Sequence, residues 1–375
     1  MHSNEKSDSR HEIILAHIST QLHAELEFQN QLLPKVSRSF ALTIPQLPEF
    51  LCLAVTNAYL LCRIADAIED DPAISAQRTR EIYTHLIAAL DGEAPAHHFC
   101  ALAGTALSDE TDPAERQLVA EADKVISVFL AFPDTTRKII ATCLKKMCAG
   151  MPEYQPGAHR GLDSLSDLDA YCYFVAGVVG EMLTGLFCDY AEDIAAQKDK
   201  LEKLSTSFGQ GLQMTNIIKD VWDDLERGFC WLPRDIYTGS GYNLDQLSPN
   251  YNKNLFRSCQ SQLISIAHGH LQNALDYSLC IPERHKGIRI FCLWAVGLAL
   301  PTLQKVLRSE AYYNGKTVKM SRARMLLVTQ LIASSARSNT AQRVIFKMLG
   351  LGLPFVPISG AEHTRAMNKI QPSIH

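Results

Sequence analysis

Apolar residues recur along this chain at three- and four-residue intervals, the spacing that gives a helix one buried face. No segment alternates apolar and polar positions in the manner of a strand. The pattern predicts helices near 11–33, 49–70, 76–91, 112–130, 134–150, 167–189, 195–226, 253–279, 284–308 and 321–336. Breakers separate them: Pro34, Asp91-Gly92, the stretch from Pro152 to Gly161, Gly239 to Asn252, and Asn314-Gly315. Val36 to Phe40 reads as irregular chain leading to Pro45 and Pro48. No internal repeat and no shift in composition marks a linker, so the expected fold is all-α, a single-domain helical bundle. Residues 1–30 form an N-terminal segment with a helix, 31–340 the body, and 341–375 an apolar and then polar tail, expected to be loose from about 361 on.

Composition narrows the classes. The 375 residues are 47% hydrophobic, enough for a sizeable core, and the net charge of −4 supplies no basic footprint for nucleic acid. Eleven cysteines are scattered without CxxC or Cys/His zinc spacing, and read as buried thiols in a reducing, cytoplasmic compartment. The first thirty residues lack the apolar centre of a signal peptide. No segment is expected to span a membrane; Ile290 to Leu303 is uncharged but short, and reads as a central buried helix. Val344 to Ile358 has two readings: contact with a bilayer surface, or a segment packed on the body of the protein.

Against this background two acidic clusters stand out, Asp66-Ala67-Ile68-Glu69-Asp70-Asp71 and Asp220-Val221-Trp222-Asp223-Asp224. Each places carboxylates at i, i+3 and i+4, one face of a helix. Anions so crowded repel one another, and hard divalent cations relieve them; Mg²⁺ in particular takes a few carboxylates together with phosphate oxygens. Two such faces turned toward each other would hold a diphosphate. Tyr59, Cys62, Arg63, Asp66, Glu69 and Asp70 fall near one stripe of the first helix; Gln213, Asn216, Asp220, Asp223, Asp224 and Arg227 share one on the second. An ordinary solvated face with an i,i+3 salt bridge is the competing explanation for either helix alone.

Three further segments carry candidate chemistry. Tyr171 to Gly185 holds Gly177, Gly180 and Gly185, which admit close approach of a long apolar ligand or of another helix. Ser37-Arg38-Ser39-Phe40 offers hydroxyls and a guanidinium for phosphate, or a mere capping turn. Asn314 to Arg324 is a basic loop suited to an anionic cofactor such as a dinucleotide phosphate, or simply solvated. No nucleophile pairing, dinucleotide fingerprint or P-loop is present.

Together these segments resemble the squalene/phytoene synthase family, the head-to-head isoprenyl diphosphate synthases. The match runs from about residue 30 to 335 and rests on five ordered segments: Ser37 to Phe40, Tyr59 through Arg63 to Asp71, Tyr171 to Gly180, Leu212 to Asp224, and Trp231-Leu232-Pro233. Glu69 to Pro72, Phe291-Cys292 and the loop from Lys316 to Arg324 look more like the squalene branch, of bacterial type. The resemblance implies an isoprenoid-synthase bundle around a central apolar cavity. It also implies condensation of two farnesyl diphosphates through presqualene diphosphate to squalene, with Mg²⁺ and NADPH as cofactors. Carried over, Asp66, Asp70, Asp220 and Asp224 would hold Mg²⁺, with Glu69 and Asp223 supporting. Ser37, Arg38, Ser39, Phe40, Gln213, Asn216 and Phe291 would contact substrate, and Lys316, Lys319 and Arg322 the cofactor. Tyr171 would sit beside the reacting carbons, with Arg63 and Tyr59 completing the catalytic group.

Three departures from the family pattern stand in this sequence: Lys219 replaces a common arginine, Phe229 stands where an arginine is usual, and Leu293-Trp294-Ala295 lacks a proline frequent in the eukaryotic branch. The rival readings are a dehydrosqualene, hydroxysqualene or phytoene synthase without hydride transfer, and an inactive relative serving as an assembly factor. A monomer, peripheral on the inner face of the cytoplasmic membrane, completes the expectation.

Overall fold

A computed structural model of the chain describes residues 2–37, 39–154, 161–309 and 314–358. In chain order the helices are α1 (His2–Gln21), α2 (His23–Val36), α3 (Phe40–Thr43), α4 (Glu49–Glu69), α5 (Ala76–Leu90), α6 (Ala96–Gly104), α7 (Pro113–Ala120), α8 (Ala122–Leu130) and α9 (Asp134–Gly150). They continue with α10 (Leu165–Cys172), α11 (Val178–Tyr190), α12 (Glu192–Ala195), α13 (Lys198–Glu226), α14 (Arg234–Gly239), α15 (Lys253–Cys280), α16 (Lys286–Arg308), α17 (Arg322–Ser334) and α18 (Asn339–Leu349). Among the described residues there is no strand, only an isolated bridge between Leu162 and Pro233. The all-α expectation holds.

Several boundaries differ from the pattern, each for a local reason. The first predicted helix does not stop before Pro34: it breaks at Leu22, and α2 carries Pro34 in its last turn, with Leu33 O still accepting from Ser37 N (2.9 Å). Burial of Leu32 and Leu33 outweighs the missing N–H. The predicted helix 112–130 is two, hinged at Glu121, whose backbone is non-helical (φ −111°, ψ 27°). The helix near 167–189 is interrupted by a π turn over Tyr173–Gly177. Helices α6 and α18 were not legible as separate elements.

Contacts gather the helices into two compact units, neither continuous in sequence: Met1–Gln155 with Glu181–Lys198, and Pro156–Gly180 with Asp199–His375. In the first, α4 is buried on most of its circumference, from Phe50 to Glu69. Asn57 Nδ2 inside it donates to Gln29 Oε1 (3.1 Å) and Val125 O (2.8 Å), which ties α4 to α2 and α8. The second segment of this unit closes over α9: Lys146 Nζ meets Glu181 Oε2 at 2.7 Å, Gly185 faces Ile139, and Thr135 Oγ1 donates to Asp189 Oδ2 (3.3 Å).

In the second unit, α13 crosses the α10–α11 segment at backbone contact. A Cβ on Gly209 would overlap Ala176 O, and one on Gly180 would overlap Ser205 O. The glycines of the Tyr171–Gly185 segment therefore serve close helix packing, the second of the two readings offered for them. Helix α16 runs along α15, and Gly297 of α16 receives both Ile332 of α17 and Phe346 of α18.

Three helical stretches are long and apolar enough to cross a membrane: Glu49–Glu69, Leu165–Tyr190 and Lys286–Arg308. In each, 67 to 72% of the most apolar window is buried inside the protein. Ile290 to Leu303 belongs to the third and is the buried helix anticipated for it.

Candidate functional site

On α4 only a narrow strip stays accessible over its last three turns: Tyr59, Arg63, Asp66 and Asp70. Cys62 and Glu69, expected on the same stripe, are buried instead, because neighbouring helices cover both flanks of the strip. Arg63 is the hub. Its guanidinium pairs with Glu115 of α7, with Nε 3.1 Å from Oε1, and lies 3.7 Å from Asp66 Oδ2 and 3.9 Å from Asp70 Oδ2. Burial works against the charge on Arg63, but Asp66, Glu115 and Asp70 outweigh it and raise its pKa. Burial, opposed by Arg63 and reinforced by Asp70 and Glu115, pushes Asp66 up to about 7. Burial also drives Glu69 well above the usual carboxylate range. Three carboxylates, Asp66, Asp70 and Glu115, thus gather around the Arg63 guanidinium. Glu115 was missed by sequence reasoning; it lies on another helix, and no spacing rule connects it to α4.

Asp71 has a different task. Its Oδ2 accepts from Ser108 N (2.7 Å) and Thr111 Oγ1 (2.6 Å), and its Oδ1 from Ala73 N (2.9 Å). Burial opposes ionisation there, yet these hydrogen bonds hold its pKa below the ordinary value. Asp71 fixes the chain leaving α4, so the neighbouring carboxylates keep their place.

Above the strip, Ser37 Oγ accepts from Phe40 N (3.0 Å), Tyr59 OH donates to Val36 O (3.3 Å), and the Phe40 and Tyr59 rings stand 5.1 Å apart. Ser37, Phe40, Tyr59, Arg63, Asp66 and Asp70 are thereby brought onto one side of the first unit. Ser37 caps, as its competing reading held. Ser39 is exposed at the start of α3. Arg38 lies outside the described residues, as does the polar stretch 361–375.

On α13 of the second unit the accessible stripe is Gln213, Asn216, Asp220, Asp223 and Arg227. Asp224 is buried and held by Arg227 Nη2 (2.5 Å). Lys219, at the usual arginine position, reaches Asp220 Oδ2 (3.0 Å) and Asn216 Oδ1 (3.4 Å). The basic loop closes on the same stripe. Gly315 N donates to Asp223 Oδ2 (2.7 Å), and a Cβ on Gly315 would overlap Asp220 Oδ1. Lys316, Lys319 and Arg322 are exposed, and Lys305 anchors the loop through Lys319 O (2.7 Å).

Tyr171 is buried at the end of α10, its ring stacked on Trp231 (4.0 Å, 7°), which stacks in turn on Phe229 (6.0 Å, 4°). Phe229 thus occupies an aromatic column. Leu162 pins the Trp231-Leu232-Pro233 run through Leu162 N to Leu232 O (3.0 Å) and Arg234 N to Leu162 O (2.8 Å). Phe291 is in the core of α16.

Among the described residues no three His, Cys, Asp or Glu side chains converge as a ready-made metal cage. The donors nonetheless suit Mg²⁺. They are oxygen-only, and this ion takes one or two carboxylates and completes its shell with water and phosphate oxygens.

An all-α protein with one accessible carboxylate stripe on α4 and another on α13 offers oxygen donors of the kind a hard divalent cation takes. The comparisons with known proteins give its family. The squalene/phytoene synthase family profile matches residues 33–324. The chain is 31% identical over 294 residues to a squalene synthase of Botryococcus braunii, covering 77% of this chain and 60% of that one. It is 29% identical over 291 residues to a squalene synthase of a Phoma species, covering 76% and 66% respectively. Solved structures share the fold: TcSQS with a bound ligand (TM-score 0.71, 22% identity, 94% of this chain and 98% of that one) and a dehydrosqualene synthase with ligand (0.62, 21%, 85% and 99%). The chain belongs to the squalene/phytoene synthase family. It spans 60 to 66% of the length of these two curated squalene synthases.

Proposed function

We propose that this protein condenses two molecules of farnesyl diphosphate head to head, through presqualene diphosphate, and reduces the product to squalene. The observation that carries the reading is the gathering of Asp66, Asp70 and Glu115 around the Arg63 guanidinium: carboxylate oxygens of the kind a hard divalent cation takes, beside a fork that can grip diphosphate. The relatives named squalene synthase support the choice of branch.

The roles follow from chemistry at each position. Asp66, Asp70, Asp220 and Asp223 would hold Mg²⁺, with the buried Glu69 and Asp224 behind them. Bound there, Mg²⁺ supplies the Lewis-acid charge that makes diphosphate a leaving group. Arg63 exchanges part of its carboxylate pairing for diphosphate oxygens, which a planar guanidinium can grip in the same bidentate way. Ser37, Ser39, Gln213 and Asn216 add neutral donors, and Arg38 a second guanidinium. Tyr59, Phe40 and Tyr171 offer aromatic faces to the allylic cation, each worth about 0.5–2 kcal/mol. The released diphosphate is the base for the proton lost as the cyclopropane closes, and the Tyr171 hydroxyl can relay it. Phe291 belongs to the apolar wall that keeps water from the cations. Lys316, Lys319 and Arg322 would bind the phosphates of NADPH, which supplies the terminal hydride. The enzyme works as a monomer, peripheral to the cytoplasmic membrane.

The deciding experiment incubates pure protein with farnesyl diphosphate and Mg²⁺, with and without NADPH, and identifies the hydrocarbon by mass spectrometry. Squalene only with NADPH is the expected result. Unconsumed substrate would eliminate the enzyme reading. Consumption with dehydrosqualene, hydroxysqualene or phytoene as product in the presence of NADPH would move the protein to a neighbouring branch.

A further inference from the structure

Eight of the eleven large apolar side chains that the described residues leave exposed fall between Leu326 and Val356. They are not scattered around the helices that bear them. On α18, Val344, Met348 and Leu351 follow at i, i+4 and i+7, one outward line running just past the helix end. On α17, Leu327 and Leu331 repeat at i, i+4, with Leu326 beside them. Inner residues of both helices, Ile332 and Phe346, meet α16 at Gly297, so both outer faces lie on the side away from α16. The chain then continues as a strap along α15, with His268 Nδ1 3.0 Å from Pro354 O and Val356 N donating to Ser265 O (3.2 Å). Phe355 and Val356 of the strap extend the exposed apolar set.

The charge carried by this segment has one sign. Residues 314–358 contain seven lysines and arginines and no aspartate or glutamate, in a chain whose net charge is −4. Helix α16 beneath it has no acidic residue either, and the one acid on α15, Asp276, is paired with Arg343 (2.7 Å). An apolar stripe with a mainly basic border complements a surface that presents anionic groups over hydrocarbon. A protein partner would need an acidic rim around an apolar groove. A second copy of the same face would set like charges against one another.

We propose that the outer faces of α17 and α18, with the strap that follows, form a docking surface for anionic lipid. The surface gives the peripheral location proposed above a definite place, and it stands whether or not the activity is that of a squalene synthase. Apolar side chains enter the acyl boundary, while Lys347 and Arg337 stay at headgroup level.

Cosedimentation with vesicles tests it, using vesicles of phosphatidylcholine alone and of phosphatidylcholine with phosphatidylglycerol. The full chain should bind the mixed vesicles about tenfold or more better than the neutral ones, and added salt should weaken that binding. Met348→Glu with Leu327→Glu should abolish binding, and Lys347→Glu with Arg337→Glu should weaken it. Both pairs should keep the helical circular dichroism and the turnover of detergent-dispersed farnesyl diphosphate. Equal binding to both vesicle types, binding unaffected by the apolar pair, or no binding would overturn the proposal. So would a dimer, seen by analytical ultracentrifugation, that the same substitutions dissolve. Vesicle binding is read independently of product formation, so a failure of the activity assay leaves this result interpretable.

Discussion

At the scale of single residues, Asp66 has the most consequential environment. Its pKa, 3.8 in the unperturbed state, rises to about 7 in the folded protein. A carboxyl raised in this way favours the fold most while it is protonated, below its unfolded pKa. That contribution is lost as pH climbs through the folded value. In EDTA the melting temperature should therefore fall between about pH 4 and about pH 7, and Asp66→Asn should flatten the fall. Added Mg²⁺ should recover stability in the parent protein and not in the variant. Asp66→Asn and Asp220→Asn should each reduce squalene formation by more than about a hundredfold with the circular dichroism unchanged. Trp231 gives a separate prediction. Its indole is the middle ring of the Phe229–Trp231–Tyr171 column. Trp231→Ala should cost about 3–5 kcal/mol in urea unfolding, whereas Trp231→Phe should retain most of the stacking and much of the stability.

At the scale of elements, the sequence was legible where periodicity alone decides. Helices α4, α5, α9, α15 and α16 begin and end within a few residues of the pattern, because each has a continuous apolar face and a breaker at its ends. The failures come from packing between segments distant in sequence. Nothing local foretells that Leu32 and Leu33 carry α2 past Pro34, or that the chain takes a π turn where Gly209 meets Ala176. Helix α18 could have been found: Ser338 caps it through Ala341 N (3.2 Å), a signal obscured by the glycines and prolines that follow. The α13 crossing yields a direct test. Gly209→Ala places a methyl against a carbonyl that cannot move without its helix. It should destabilise by about 3 kcal/mol, as overpacking does, with a matching fall in melting temperature. The Asn314–Arg324 loop yields another. Lys319→Ala should leave presqualene diphosphate formation intact and slow its reduction, as product analysis would show. An equal loss of both steps would remove the loop from cofactor binding.

At the scale of the whole molecule, the candidate site was legible in part. Helical spacing sets Asp66 with Asp70 and Asp220 with Asp224, Glu69 and Asp223 in support; the accessible strips keep the first pair, but on α13 Asp223 takes the accessible place expected for Asp224. Burial sorted the rest: Glu69 and Asp224 lie behind the strips, and Glu115 arrives from a helix whose sequence carried no hint of it. The Gly315 contact with Asp223 was equally hidden, since a loop's resting place depends on surfaces far from it in sequence.

The first compact unit is completed only by residues 181–198, which lie beyond a stretch assigned to the second. A chain emerging from the ribosome would hold α1 to α9 without the segment that covers Ile139 and pairs with Lys146. At ordinary translation speeds that wait lasts on the order of seconds. Throughout it the nascent α9 shows a bare flank, the kind of surface that holding chaperones bind.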